Sequence, residues 1–242
     1  MTGQWSFAVL TIVVSTASGL LIAATSRWWI ADDDHAAVVT ASRHHRPVLL
    51  VASGSLIAAA AALLHPALSP ASLSPTALPG GLDLVLLPLL LGTAAAATPF
   101  LLVVDVLVHR LPDRLLLPLI AVDAVVLVLG TQLGHRGIWV PALVSAVAAA
   151  ALLGLLHLVG RLLHARTLGL GDVKLAVVVG AVAGAHSPWA LAAVFVVMML
   201  IASAAALLAA WRRRALAGTV IAFGPAMLSG MWLGSMGARF LL

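Results

Sequence analysis

The sequence predicts an all-α, polytopic integral membrane protein of about eight transmembrane helices, and three observations carry that prediction. Apolar residues make up 63% of the chain and charged ones only 9%, where soluble domains carry roughly 25%. The apolar residues gather in runs of membrane-spanning length, separated by short polar turns. The longest polar stretch is about twenty residues, far below the roughly 50 that a soluble domain needs. The third observation is the placement of the basic residues in those turns, which is strongly one-sided.

The first run is Phe7 to Thr25, and no basic residue precedes it, so it reads as a retained helix rather than a cleaved signal. Trp28-Trp29 follow it as an interfacial anchor. The most polar stretch comes next and contains Asp32-Asp33-Asp34 and Arg43-His44-His45-Arg46. A second run spans Val48 to Leu64, followed by a Pro/Ser-rich loop without Lys or Arg. The third is Leu82 to Val104 and ends at Asp105. A polar turn, Asp105 to Arg114, leads into a fourth run, Leu115 to Leu133, with Asp123 near its middle. The fifth is Trp139 to Gly160. From Val173 to Ala210 the chain is apolar except near Ser187-Pro188. One helix of that length would reach about 57 Å, nearly twice a hydrocarbon core. It divides into a sixth segment, Val173 to Ala185, short enough to be re-entrant, and a seventh, Trp189 to Ala210. The eighth is Thr219 to Phe240. The whole of 1–242 reads as a single transmembrane domain, with 26–47 as a short loop.

Placing the N-terminus outside puts eleven of the 13 basic residues in inner loops and leaves only Arg136 and Arg239 outside. That is the bias expected of cytoplasmic loops, and it requires the sixth segment to cross. Asp105 and Asp172 then both lie at the cytoplasmic face. The net charge of +5 is explained by topology, with no reason to invoke nucleic acid. The partners expected are the lipid bilayer and a substrate. The chain has no Cys, Glu or Tyr, so thiolate zinc sites and disulfides are excluded. His35, His44 and His45 have no compact metal-ligand spacing, and no metal or cofactor is expected.

The chemistry concentrates in two stretches. Gly169-Leu170-Gly171-Asp172-Val173-Lys174-Leu175 places a carboxylate and an amine at the start of an apolar segment, and an acid at a membrane boundary is a functional-site hypothesis. Asp105 is its candidate partner. Two close carboxyls do not both ionise easily, so one can take a proton from water while the other donates one. That pair can hydrolyse a peptide bond without metal or thiol. Gly169 and Gly171 would leave room for a substrate backbone. Asp172 also suits an N-terminal helix cap. Asp113, after Pro112, suits a cap on the fourth helix. Lys174 suits either snorkelling or tuning of the aspartate field. Asp123, inside a span, must be protonated or packed inward against a polar group.

Asp105-Val-Leu-Val-His-Arg-Leu-Pro-Asp113, with Leu115-Leu-Leu-Pro118-Leu119 after it, resembles the first aspartate motif of the type IV prepilin peptidases. Gly169-Leu170-Gly171-Asp172-Val173-Lys174 resembles their second motif, Gly-x-Gly-Asp-x-Lys. Phe223-Gly224-Pro225 is similar to a late Pro-Phe-Gly-Pro element, with Ala222 in place of the first Pro. The resemblance implies a membrane aspartic endopeptidase of the bacterial cytoplasmic membrane, with Asp105 and Asp172 as its catalytic pair. Gly169, Gly171, Lys174, Pro112 and Asp113 would be supporting motif residues. The implied reaction removes a basic leader from pilin or pseudopilin precursors, at the cytoplasmic face. Long members carry a cytoplasmic domain with two Cys pairs after the first helix, associated with N-methylation. Only Ser26 to Pro47 occupies that place here, without Cys, which sets methyltransferase activity aside. Two other function classes compete: a proton-coupled transporter, for which Asp123 is the natural relay residue, and a non-catalytic partner in pilin assembly.

Overall fold

A computed structural model describes residues 2–30, 46–66, 81–163, 169–213 and 223–241, and among them every regular element is a helix. In chain order these are α1 (Thr2–Ala24), α2 (Ser26–Ile30), α3 (Pro47–Leu63), α4 (Asp83–Val108), α5 (Asp113–Leu133), α6 (Arg136–Leu162), α7 (Leu170–His186), α8 (Ala190–Arg213) and α9 (Gly224–Leu241). Five are long and apolar enough to cross a membrane: α4, α5, α6, and the apolar parts Trp5–Ala24 of α1 and Ala190–Trp211 of α8. With the shorter α3, α7 and α9, eight helices match the eight runs. Helices are the form this sequence must take, because lipid offers backbone groups no hydrogen-bond partner. Their outward faces are apolar: Leu21, Val125, Val147, Leu200 and Leu207 are all exposed. The molecule is an all-α, multi-pass membrane protein.

The third run does not stop at Asp105. Val106-Leu107-Val108 are apolar and continue α4 by nearly a turn, so Asp105 lies inside the helix. The helix ends where His109 takes a left-handed conformation, φ 56°, and returns its N–H to the Asp105 carbonyl. The Trp pair also divides. Trp28 is exposed, but Trp29 turns inward, donates from Nε1 to the Ile22 carbonyl at 2.9 Å and meets Phe100 edge-on. The stretch with Asp32 to Asp34 and Arg43 to His45 lies outside the described residues.

Close helix approach comes from small residues. On α7, Gly180 and Gly184 lie one turn apart and press on Ser145–Ala146 and Pro141–Ala142 of α6, where a Cβ would have no room. On α9, Gly230 and Gly234 do the same against Met198 and Val194 of α8. The sixth segment is thus a helix held against α6 and, apart from half-buried Val177, buried from Leu175 to His186.

Candidate active site

The site lies where α4 ends and α7 and α9 begin. Helix α9 runs antiparallel to α4, and one buried bond sets their register: Trp232 Nε1 donates to Thr98 Oγ1 at 2.9 Å. Thr98 donates in turn to the Ala94 carbonyl at 2.7 Å. Two turns from Thr98 along α4 is Asp105, and about two turns back from Trp232 is Gly224. There the Gly224 N–H donates to Asp105 Oδ2 at 3.0 Å. Gly224 is glycine because a Cβ would stand 2.6 Å from that oxygen. The first N–H groups of α9 have no partner inside their helix, so Asp105 of α4 supplies one across 119 residues of sequence.

Asp172 occupies the first turn of α7. Its Oδ2 accepts the Gly169 N–H at 3.0 Å, bonding back onto the N-cap residue. This is half of a capping box, since Gly169 has no side chain to return the bond. Asp172 is therefore not itself the N-cap expected of it: Gly169 holds that position, and Asp172 bonds back to it from the third helical position with only one oxygen. Asp105 and Asp172 each have Oδ2 fixed by a backbone N–H, while Oδ1 carries no hydrogen bond among the described residues. The two carboxyls lie within electrostatic reach of each other, and the His109 side chain reaches Asp105 as well. Asp105 is 4% exposed, whereas Asp172 is half-buried.

The supporting residues gather around them with altered roles. Gly171 meets Leu111 of the α4–α5 turn, where a Cβ would stand 3.2 Å from the Leu111 Cβ, so its space admits that side chain. Among the described residues, a Cβ on Gly169 would meet nothing nearer than Asp172 Oδ2 at 3.6 Å. Pro112 is the N-cap of α5, and no side chain caps that end. Asp113 pairs instead with Lys174, Nζ to Oδ1 at 2.7 Å, and this ties the start of α5 to the start of α7. Arg114 carries α2 to the same end: Nη1 donates to the Trp28 carbonyl at 3.0 Å, with the guanidinium 5.4 Å from the Trp28 ring.

Asp123 is fully buried, as expected of an inward acid, but neither carboxyl oxygen has a hydrogen-bond partner among the described residues. The hydrogen bond expected to a polar neighbour is not made among the described residues. Among the described residues no group of three or more His, Cys, Asp or Glu is arranged to hold a metal ion. Gly224 was the site residue least visible in the sequence. Phe223-Gly224-Pro225 stood out as a similarity, without any sign that its N–H reaches Asp105.

Comparison with known families supplies the deciding observation: a model of the type IV leader peptidase family matches residues 92–211. This chain belongs to that family. The match runs from within α4 through α8 and includes both aspartates, while α9 with Gly224 lies beyond it. No curated protein and no solved structure matched the chain. Membership makes the protein a peptidase, and the precursors that leader peptidases process are pilin-like in general terms.

Proposed function

We propose that this leader peptidase is an aspartic endopeptidase. It removes the basic leader of type IV pilin-like precursors at the cytoplasmic face of the bacterial membrane, with Asp105 and Asp172 as the catalytic pair. One observation carries the reading: two carboxyls at the same end of the bundle, within electrostatic reach, each with one oxygen anchored and one open. An anchored oxygen fixes the carboxyl's direction, and an open one can pass a proton to or from a substrate at hydrogen-bond distance. The excess of basic residues in the loops of this end favours the cytoplasmic side. The chain acts as one transmembrane domain, without a metal or other cofactor and without methyl transfer. A transporter would need a relay, and Asp123 has no polar partner among the described residues from which to build one.

The test is co-expression with a precursor carrying a basic leader, a Gly and an apolar helix. Asp105→Asn and Asp172→Asn should each reduce processing by at least about a hundredfold while the variant stays in the membrane. Normal processing by either variant overturns the proposal.

A further inference from the structure

The two aspartates have the same chemistry but different surroundings, and we infer that the pair has a fixed polarity: Asp172 is the base that activates water, and Asp105 is the acid. This rests on the peptidase reading proposed above.

Water access is the first ground. Asp105 is 4% exposed and its anchoring bond is buried, while Asp172 is half-buried with its anchoring bond in an exposed position. Attacking water has to arrive from the aqueous side, and Asp172 is the carboxyl it meets. Helix ends are the second ground. Asp172 stands in the first turn of α7, where unpaired N–H groups favour negative charge. Asp105 stands in the last turn of α4, where unpaired carbonyls oppose it. Two groups act the other way, the Gly224 N–H and the His109 side chain, both toward Asp105. A single N–H and one side chain do not offset the cost of burying a charge, which is the larger effect at Asp105.

Hydrolysis then proceeds in a set direction. Asp172 Oδ1 takes a proton from water as the water oxygen bonds to the scissile carbonyl carbon. The π pair of that carbonyl moves to its oxygen, which receives the proton of Asp105. In the collapse the protons return. Asp105 takes one from a hydroxyl as the carbonyl re-forms, the C–N bond breaks with its electron pair on nitrogen, and Asp172 protonates that amine. Both residues end as they began.

The experiment compares two synthetic probes in detergent, each a basic leader ending in Gly joined to an apolar segment. One has the natural amide at the junction and the other a thioester. A thioester carbonyl needs little acid assistance, and its leaving thiolate needs no proton, but water still needs a base. Asp105→Asn should lose about 10²- to 10⁴-fold on the amide and less than about tenfold on the thioester. Asp172→Asn should lose about 10²- to 10⁴-fold on both. Hydroxylamine attacks without first giving up a proton, so its addition should restore to Asp172→Asn a rate of thioester cleavage well above that of hydroxylamine with the probe alone, which also shows that the variant is folded. The reverse pattern, equal loss of both variants on the thioester, or no recovery with hydroxylamine overturns the assignment. A native chain that cleaves neither probe overturns instead the peptidase reading beneath it.

Discussion

Helix α4 has a buried aspartate at each end, and the two are treated in opposite ways. At its start, Asp83 is 1% exposed and accepts the Trp139 Nε1–H at 2.6 Å and the His135 N–H at 3.1 and 3.3 Å. Gly134 and Gly130 leave room for the carboxyl and the Trp139 ring to close over each other. This acid staples α4 to the α5–α6 turn. At the other end Asp105 has one backbone donor on one oxygen. A buried carboxyl surrounded by donors is inert, because every proton position on it is already committed. A half-satisfied one stores the same desolvation cost and keeps an oxygen for chemistry. Residue type is equal at the two ends; the number of donors distinguishes the staple from the carboxyl proposed for catalysis.

The comparison breaks most sharply at the aspartate pair. Asp105→Asn and Asp172→Asn should cost at least about a hundredfold in processing and leave the thermal unfolding midpoint in detergent close to native, since the amide fills the same volume. Asp83→Ala should do the reverse. It strands one buried donor, Trp139 Nε1–H, and one part-buried donor, the His135 N–H, at about 3 kcal/mol of stability, read as a lower unfolding midpoint. Activity per folded molecule should not change. If Asp83→Ala abolished processing in folded protein, the staple would belong to the site.

Gly224→Ala sharpens the contrast within one end. Helix propensity alone favours Ala over Gly by about 1 kcal/mol, so the α9 terminus should not weaken on that account. The new Cβ would stand 2.6 Å from Asp105 Oδ2 and 3.0 Å from its Cγ, and the carboxyl has to swing away. A shift of that kind should reduce kcat about 10- to 100-fold, with membrane insertion and unfolding midpoint unchanged. Unaltered kcat would show that Asp105 does not depend on its Gly224 anchor.

Much of this was legible in the sequence, for a physical reason. Lipid forces each span to satisfy its own backbone, so hydropathy marks the helices, and the eight runs agree with eight helices to within a few residues. The acids stand out because so few polar residues interrupt those runs. Helix faces were not legible. When a helix is apolar nearly all round, no stripe says which side meets a neighbour, so the inward turn of Trp29 and the packing of Gly180 and Gly184 on α6 carried no clear signal. Long-range pairings were equally hidden. Gly224 and Asp105 meet only because Trp232 and Thr98 fix the register of two antiparallel helices. The hydrogen-bond partner expected for Asp123 is missing among the described residues for the same reason, since burial of a position can be inferred from its segment but its neighbours cannot.

The smallest effect belongs to the Lys174–Asp113 pair, and it is the most discriminating. At 2.7 Å its geometry is good, but the two side chains are 32% and 57% exposed, and such pairs contribute about 0.2–1 kcal/mol. As a clamp it can do no more than hold the start of α5 beside the start of α7. Lys174→Gln and Asp113→Asn should therefore each lower stability by about 1 kcal/mol or less, measured by thermal unfolding at low salt, and high salt should reduce the difference. The charge-swapped double variant, Lys174→Asp with Asp113→Lys, should restore it. A clamp also predicts that activity follows stability in all three variants. Lys174 stands two residues from Asp172, however, and an ammonium so placed can also act on the carboxyl's field. If Lys174→Gln lost activity beyond its stability change while Asp113→Asn did not, the lysine would be acting on Asp172 directly, and the charge-swapped double variant would remain inactive although its stability recovered.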